Sequence, residues 1–250
     1  MNNWVRQCNE WKTRWKNEND YFLKFKQENY FSIYEVMNVI NSYSNSDNII
    51  MTDAGSPSYV LPVNIELQKG QRIVSSPSQA DMGWVLPASV GVALAAPEKR
   101  PIVLVGDGSF MSNIQELSVI REHNLPIKIA ILNNNGYLSI RNTQKNFFGN
   151  RVYGVSKETG LHFPRFQDIA RTFNINYVKI YHREIGGYDW IKTNFSDSNS
   201  YILEFMCVEN EDIVPSQNFK MIDGQRVQCG LDDMFPFLPD DVFEYERNII

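Results

Sequence analysis

Two short stretches of this 250-residue sequence carry residues suited to chemistry. Gly106-Asp107-Gly108 follows the apolar run PIVLV, and Asn133-Asn134-Asn135 follows the apolar run IAIL. Both supply oxygen donors rather than a nucleophile. If the two runs are neighbouring strands, they lie about 4.8 Å apart, and Asp107 and Asn134 converge on one point. A carboxylate, an amide oxygen and a nearby backbone carbonyl are hard ligands, of the kind Mg²⁺ takes together with phosphate oxygens and water. A helix starting near Ser109 to Ser112 would aim unpaired N–H groups and its positive dipole end at the same place. Gly106 and Gly108 would let the backbone come close and turn sharply. The pattern predicts a site for a metal-bridged diphosphate. Either triplet alone is a common turn, but the 24 residues between them, Ser109 to Leu132, fit one helix plus one strand.

The elements that must position these residues read as alternating strands and helices. "NIIMTDAG", "RIVSS", "PIVLVGD", "PIKIAILN", "YVKIY" and "YILEFMCV" are short apolar runs typical of strands covered on both faces. Helices are predicted for "FSIYEVMNVI", where Ser32 and Glu35 form a capping box, and for "MGWVLPASVGVALAAP". Others are predicted at "SNIQELSVIREHN", with Ser112 and Gln115 as a second capping box and Ile114, Leu117 and Ile120 on one face, at "FQDIARTFN" and near "DWIKTNF". This alternation predicts an α/β fold with a doubly wound, mostly parallel sheet and helices on both faces. Trp4, Trp11 and Trp15 would share one face of an N-terminal helix. The stretch after Glu209 has little periodicity and is expected to wrap over a surface.

Composition narrows the function. A 43% apolar content and this length suit one large domain, or one domain with an appendage. A net charge of −5 without a basic run argues against a nucleic-acid surface. Cys8, Cys207 and Cys229 lie far apart, which excludes a disulfide framework or a zinc motif and suggests a reducing compartment. The most apolar stretch, Trp84 to Pro97, is too short to span a bilayer, and the N-terminus lacks the apolar core of a signal peptide. The expectation is a soluble cytoplasmic protein. His123, His162 and His182 fall outside both stretches and are assigned no chemistry. No G-x-G-x-x-G or P-loop follows a strand, which disfavours a generic nucleotide-binding domain.

A GDG followed two dozen residues later by NN resembles the signature of thiamine-diphosphate enzymes. The longer segments "GDGSFMSNIQELSVIREHNLPIKIAILNNNGY" and "DMGWVLPASVGVALAAPEKRPIVLVGDG" are similar to the pyrophosphate-binding (PP) domain of acetolactate-synthase-like enzymes. The resemblance implies an N-terminal helical arm at 1–30, a thiamine-diphosphate-binding PP domain at 31–209 and a C-terminal tail at 210–250. It implies thiamine diphosphate and Mg²⁺ as cofactors. The metal would be held by Asp107, the side chain of Asn134 and the backbone oxygen of Gly136. Gly108, Ser109 and the loop from Tyr137 through Leu138 to Ile140 would contact the diphosphate, joined by Gly55 and Ser56 after the first strand. Met82 matches the bulky apolar residue that wedges beneath the cofactor, and it alone is assigned a catalytic part. Ala80 would offer its backbone to the pyrimidine ring. Two departures stand out. Ser56-Pro57 occupies the place where many members have Gln-His, and Thr143 the place where many acetolactate synthases have a Trp near the substrate channel. The second argues against a routine branched-chain biosynthetic enzyme. "NNNGYLSIRNTQ" and the tail "MIDGQRVQCGLDDMFPFLP" look more like relatives in surface-polysaccharide or specialised pathways.

Full chains of the family also carry a pyrimidine-binding (PYR) domain, whose glutamate activates the cofactor ring, and a middle domain. Neither fits in 250 residues. "WVRQCNEWKTRW" resembles the end of the middle domain's last helix, so the chain looks like the C-terminal third of such an enzyme. The implied function is a lyase or transferase part that decarboxylates a 2-oxo acid, with carboligation as a further step. It would need a PYR-domain partner in a homo- or hetero-oligomer. The alternative is a non-catalytic cofactor-binding or structural subunit.

Overall fold

In a computed structural model of the chain, the structure describes residues 3–14, 27–76, 78–182 and 189–249. Two compact units are present, Met1–Glu211 and Asp212–Ile250. The first contains, in order, α1 (Asn3–Arg14), α2 (Ile33–Tyr43), β1 (Asn48–Thr52), α3 (Ser56–Asn64), β2 (Arg72–Ser75), α4 (Val85–Ala95), β3 (Arg100–Gly106), α5 (Asp107–Phe110), α6 (Glu116–Glu122), β4 (Lys128–Asn133), α7 (Leu138–Phe147), α8 (Phe166–Thr172), β5 (Asn176–Ile180), α9 (Asp189–Ser196) and β6 (Tyr201–Met206).

Every strand pairing in this unit's sheet is parallel, and the strand order is β2-β1-β3-β4-β6-β5. Strands β1, β3 and β4 are apolar and buried almost throughout because both faces are covered. On one face, Ile49, Met51, Val103, Val105, Ile129 and Ile131 form a single cluster with Val85 and Leu86 of α4, Leu117 and Ile120 of α6, and Phe166 and Ile169 of α8. Ile50, Ile102, Leu104, Ala130 and Leu132 alternate with them and serve the other face, where α2, α3 and α9 pack on one another and on the central strands. Helix α2 starts where its sequence indicates. The Tyr34 N–H donates to Ser32 Oγ at 3.1 Å, and the Ser32 N–H to Glu35 Oε2 at 2.9 Å.

Four features differ from the sequence reading. The second capping box does not form, because the chain is already helical from Asp107, ahead of Ser112. Gln115 Nε2 bonds Asn113 Oδ1 instead. The segment after Tyr137 is the first turn of α7 rather than a loop, and Ser56 opens α3. In the second unit, the stretch expected to lack periodic structure contains a hairpin, β7 (Phe219–Ile222) against β8 (Gln225–Gln228), and a helix, α10 (Asp240–Arg247). There Lys220 pairs with Asp233 at 2.7 Å, over the Phe237 ring. In α1, Trp4 and Trp11 meet edge to face at 5.8 Å, while Trp15 lies outside the described residues. Among the described residues no helix is long and apolar enough to cross a membrane. Cys8, Cys207 and Cys229 are free thiols.

Candidate cofactor site

The chain leaves β1 to form β2 on one side, then returns to form β3 on the other, so the strand order reverses between β1 and β3. In open α/β sheets such a reversal opens a crevice at the carboxyl ends of the strands, and ligands bind there. A cavity of about 230 Å³ occupies this position. Its walls are Ala54 to Pro57 after β1, Ala80 and Met82 before α4, Gly106 to Ser109 after β3, and Asn134 with Gly136 to Ile140 after β4. All eleven residues named from the sequence line it: Gly55, Ser56, Ala80, Met82, Asp107, Gly108, Ser109, Asn134, Gly136, Tyr137 and Leu138. A larger open concavity of about 500 Å³, at the ends of β4, β5 and β6, contains none of them.

Register explains the convergence. Gly106 pairs with Leu132, so Asp107 and the asparagine triplet leave adjacent strands at the same height. Asp107 is fully buried and each carboxylate oxygen has a partner: the Gly108 N–H donates to Oδ1 at 2.7 Å, and the Gly136 N–H to Oδ2 at 2.9 Å. Burial pushes the Asp107 pKa up to about 7, against these two bonds, the Asn134 N–H and the charge of Arg141. Asn134 Oδ1 is buried with no hydrogen-bond partner. Such an orphan acceptor costs about 1–3 kcal/mol unless something answers it.

The three asparagines divide their tasks. Asn134 lines the cavity, whereas Asn133 Nδ2 donates to Glu204 Oε1 at 2.5 Å, and Asn133 Oδ1 accepts the Asn135 N–H at 3.0 Å. Asn135 adopts left-handed backbone (φ 56°), and its side chain donates to Glu209. The turn is pinned from α7, where the buried Arg141 guanidinium donates to the carbonyls of Asn135 (3.3 Å), Val155 (3.2 Å) and Glu209.

The glycine triplet works differently from the sequence expectation. Neither Gly106 nor Gly108 adopts left-handed backbone. Gly108 is required by packing: a β-carbon there would lie 2.1 Å from Tyr137 Cε1. At Gly106 a β-carbon would meet nothing within 4 Å, so the backbone here borders open space. The helix also starts earlier than expected, with Asp107 as its first residue. Ser109 Oγ is committed within the protein, donating to Asp53 Oδ2 at 2.7 Å and accepting the Gly83 N–H at 2.9 Å. Its backbone N–H, in the first helical turn, has no acceptor within the helix.

The donor set fits a divalent cation bridging to a diphosphate. It combines one buried carboxylate, an amide oxygen without a partner and the Gly136 carbonyl, which accepts the Leu138 N–H at 3.1 Å. Such oxygens suit Mg²⁺, which keeps positions for phosphate and water. Among the described residues no group of three or more His, Cys, Asp or Glu side chains could hold a metal, so a nitrogen- or sulfur-rich centre does not compete. Beside the donors the wall is apolar and open, with Tyr59, Met82 and Ile140 exposed by 59%, 42% and 44%.

Two residues of this machinery escaped the sequence reading. Asp53 and Arg141 are both buried charged residues next to the lining. Asp53 had a signal, since it ends β1 as Asp107 follows β3. Arg141 had none, in the polar run "SIRNTQKNF".

Fold and site together define an α/β domain with a candidate cofactor cavity at the strand-order reversal. A family model described as "Thiamine pyrophosphate enzyme, C-terminal TPP binding domain" matches residues 53–188, and the chain belongs to this family. It is similar to the acetolactate synthase large subunit of Lactococcus lactis, 30% identical over 178 residues, covering 69% of this chain and 30% of that protein. It is also similar to the chloroplastic acetolactate synthase 2 of Zea mays, 29% identical over 181 residues, covering 71% and 28%. A "Probable pyruvate decarboxylase" of Schizosaccharomyces pombe is 38% identical over 103 residues, covering 41% and 18%. The chain therefore spans less than a third of the length of each of these relatives.

Proposed function

We propose that this chain is the cofactor-binding part of a thiamine-diphosphate- and Mg²⁺-dependent enzyme acting on a 2-oxo acid, completed by a chain or subunit carrying a PYR domain. The observation that carries the reading is the meeting of all eleven expected residues in one cavity, with the Asn134 amide oxygen unanswered within it. Asp107, the Asn134 side chain and the Gly136 carbonyl would hold the metal. The Ser109 N–H would meet the diphosphate, with Gly55 and Ser56 on the opposite wall. The Ala80 backbone and the Met82 side chain would border the pyrimidine ring and set its height. Bound thiamine diphosphate supplies an electron-accepting ring for decarboxylating a 2-oxo acid, and the protein supplies position and electrostatics.

The lining supports the need for a partner. Among the described residues that line the cavity, Asp107 is the single acidic side chain, and it is occupied at the metal position. No other carboxylate belongs to the described lining residues, Asp53 being turned into the protein behind Gly83. The exposed side chains of Tyr59, Met82 and Ile140 form an apolar rim that a second domain would cover. The reading extends to an oligomer in a reducing cytoplasm, in keeping with three free cysteines. The same incomplete lining also suits a non-catalytic cofactor-binding subunit.

Turnover decides between them. The chain alone, with Mg²⁺ and thiamine diphosphate, is expected to decarboxylate pyruvate at least about 10²–10⁴-fold more slowly than when mixed with a PYR-domain chain, the usual loss for a missing acid–base group. Robust decarboxylation by the chain alone would overturn the need for a partner. Silence with every PYR chain over a panel of 2-oxo acids, with cofactor still bound, would favour the non-catalytic subunit.

A further inference from the structure

Asp53 is almost fully buried at the end of β1, and its hydrogen bonds tie together segments that follow three different strands. Oδ2 accepts from Ser109 Oγ at 2.7 Å and from the Gly83 N–H at 2.9 Å, and that N–H also reaches Ser109 Oγ at 2.9 Å. The three groups close a triangle between the end of β1, the turn ahead of α4 and the first turn after β3. Gly83 is held on its other sides as well. Its carbonyl accepts from Asn113 Nδ2 at 2.9 Å. Its φ is +81°, and a β-carbon would lie 2.6 Å from Ser112 Cβ, so no other residue fits there without displacing α5 or its continuation.

Gly83 directly follows Met82, whose own side chain is substantially exposed on the cavity wall. The height of Met82 is therefore set by its backbone, at one residue's remove. Ser109 belongs to the part of the lining that follows β3. One carboxylate thus governs both the segment expected beneath the cofactor ring and the segment expected beneath the diphosphate. A carboxylate accepts both bonds with the added strength of a charged acceptor, roughly twice that of a neutral one. Its second oxygen, Oδ1, is buried without a hydrogen-bond partner of good geometry, while the Ala54 and Val85 N–H groups lie near enough to favour the charged carboxylate.

We propose that Asp53 is a positioning residue that fixes Met82 against the Gly108–Ser109 loop and so sets the distance between the two ends of the cofactor site. What the site binds rests on the function proposed above, whereas the position of Met82 is a property of the cofactor-free chain and is tested there.

The experiment uses the full chain labelled with methyl-¹³C methionine. The Met82 signal is assigned by its loss in Met82→Leu, and Met37 and Met206, buried in α2 and β6, report on the fold. In Asp53→Asn the Met82 signal is expected to shift or broaden while Met37 and Met206 stay in place. Affinity for thiamine diphosphate in the presence of Mg²⁺ is expected to fall about 10–100-fold, the usual effect of losing a residue that orients a ligand-binding group. Combined with Met82→Ala, the loss should be smaller than the sum of the two, because both changes act on one contact. Ser109→Ala, which removes the two sides of the triangle that meet at Ser109 Oγ and leaves the bond from the Gly83 N–H to the carboxylate, should move the same signal, and it serves if Asp53→Asn does not fold. An unmoved Met82 signal in a folded variant, or equal shifts at Met37 and Met206, overturns the proposal. If the unaltered chain binds no thiamine diphosphate, the functional reading fails, while the cofactor-free spectra still decide the role of Asp53.

Discussion

The Tyr137 ring occupies the space beside the Gly108 Cα, so close that a single added methyl would lie 2.1 Å from Cε1. This contact joins the segments that follow β3 and β4, and Tyr137 is fixed from behind by the Phe163 ring at 6.1 Å and by its N–H on the Val155 carbonyl at 3.0 Å. Because both backbones are anchored, Gly108→Ala must push the ring outward. We expect a stability loss of about 1–3 kcal/mol, typical of overpacking, and weaker cofactor binding. Paired with Tyr137→Ala the loss should largely disappear. Thermal unfolding of the single and double variants checks this, and equal losses in the two would contradict the contact.

Removing the orphan acceptor should separate stability from binding. Asn134→Ala deletes a buried oxygen that has no partner, so the cofactor-free chain is expected to unfold within about 1 kcal/mol of the original, since the lost packing is offset by relief of an unsatisfied group. Mg²⁺-dependent retention of thiamine diphosphate should vanish in the same variant, and in Asp107→Ala. Calorimetry with and without Mg²⁺ is the measurement. Unchanged affinity in both variants would remove these residues from the metal site.

A third expectation concerns acid stability far from the cavity. The Lys128 ammonium is wholly buried and bonds Asp197 Oδ1 at 2.7 Å, the Asp197 carbonyl at 3.1 Å and the Asn199 carbonyl. Burial works against ionisation of Asp197, and the bonds from Lys128, Asn199 and Tyr201 outweigh it, holding the carboxyl below its ordinary value. Burial pulls the Lys128 pKa down in spite of its partner. The ammonium is held in this buried site by the Asp197 carboxylate together with the two backbone carbonyls. A carboxyl depressed in the folded state binds its proton more readily when unfolded. Its stabilisation is therefore present above about pH 4 and is lost as pH falls through the lower folded value. Asp197→Ala should cost stability at neutral pH, near the lower end of about 3–5 kcal/mol because Asp197 is partly exposed, and should flatten the acid limb of the stability curve. Lys128→Met, an apolar replacement of similar length, should cost far less. Denaturant titrations from pH 3 to 7 test all three.

Much of this molecule was legible because its central strands β1, β3 and β4 are buried on both faces and read as apolar runs, with Asp107 and Asn134 as polar interruptions where no core residue would place them. The missed parts have physical causes. Helix α3 carries Pro57 near its start and Pro62 within it, and Pro62 lacks the donor a helix interior uses. Helix α7 turns only Leu138 and Arg141 fully inward, so its apolar stripe is too thin to see. Arg141 is buried because the carbonyls of a distant loop receive it, which local sequence does not encode. The hairpin of the second unit did have a local signal, Asp223-Gly224 at its turn, with both residues at positive φ.

The strand order also sets a schedule. Strand β6 lies between β4 and β5, so one edge of β4 and the whole of β5 lack their partner until Met206 has been made. At synthesis rates of about 5–20 residues per second, the stretch from Asn134 to Met206 takes on the order of ten seconds to emerge. Throughout that interval an unpaired strand edge, apolar from Ile129 to Leu132, is available to any other nascent chain. The asparagine side chains wait as long for their carboxylate partners, since Glu204 and Glu209 arrive after the rest of the turn's contacts. The site most distinctive of this chain is thus among the last parts to set, and slower translation upstream of β6 would lengthen the aggregation-prone period without altering the finished fold.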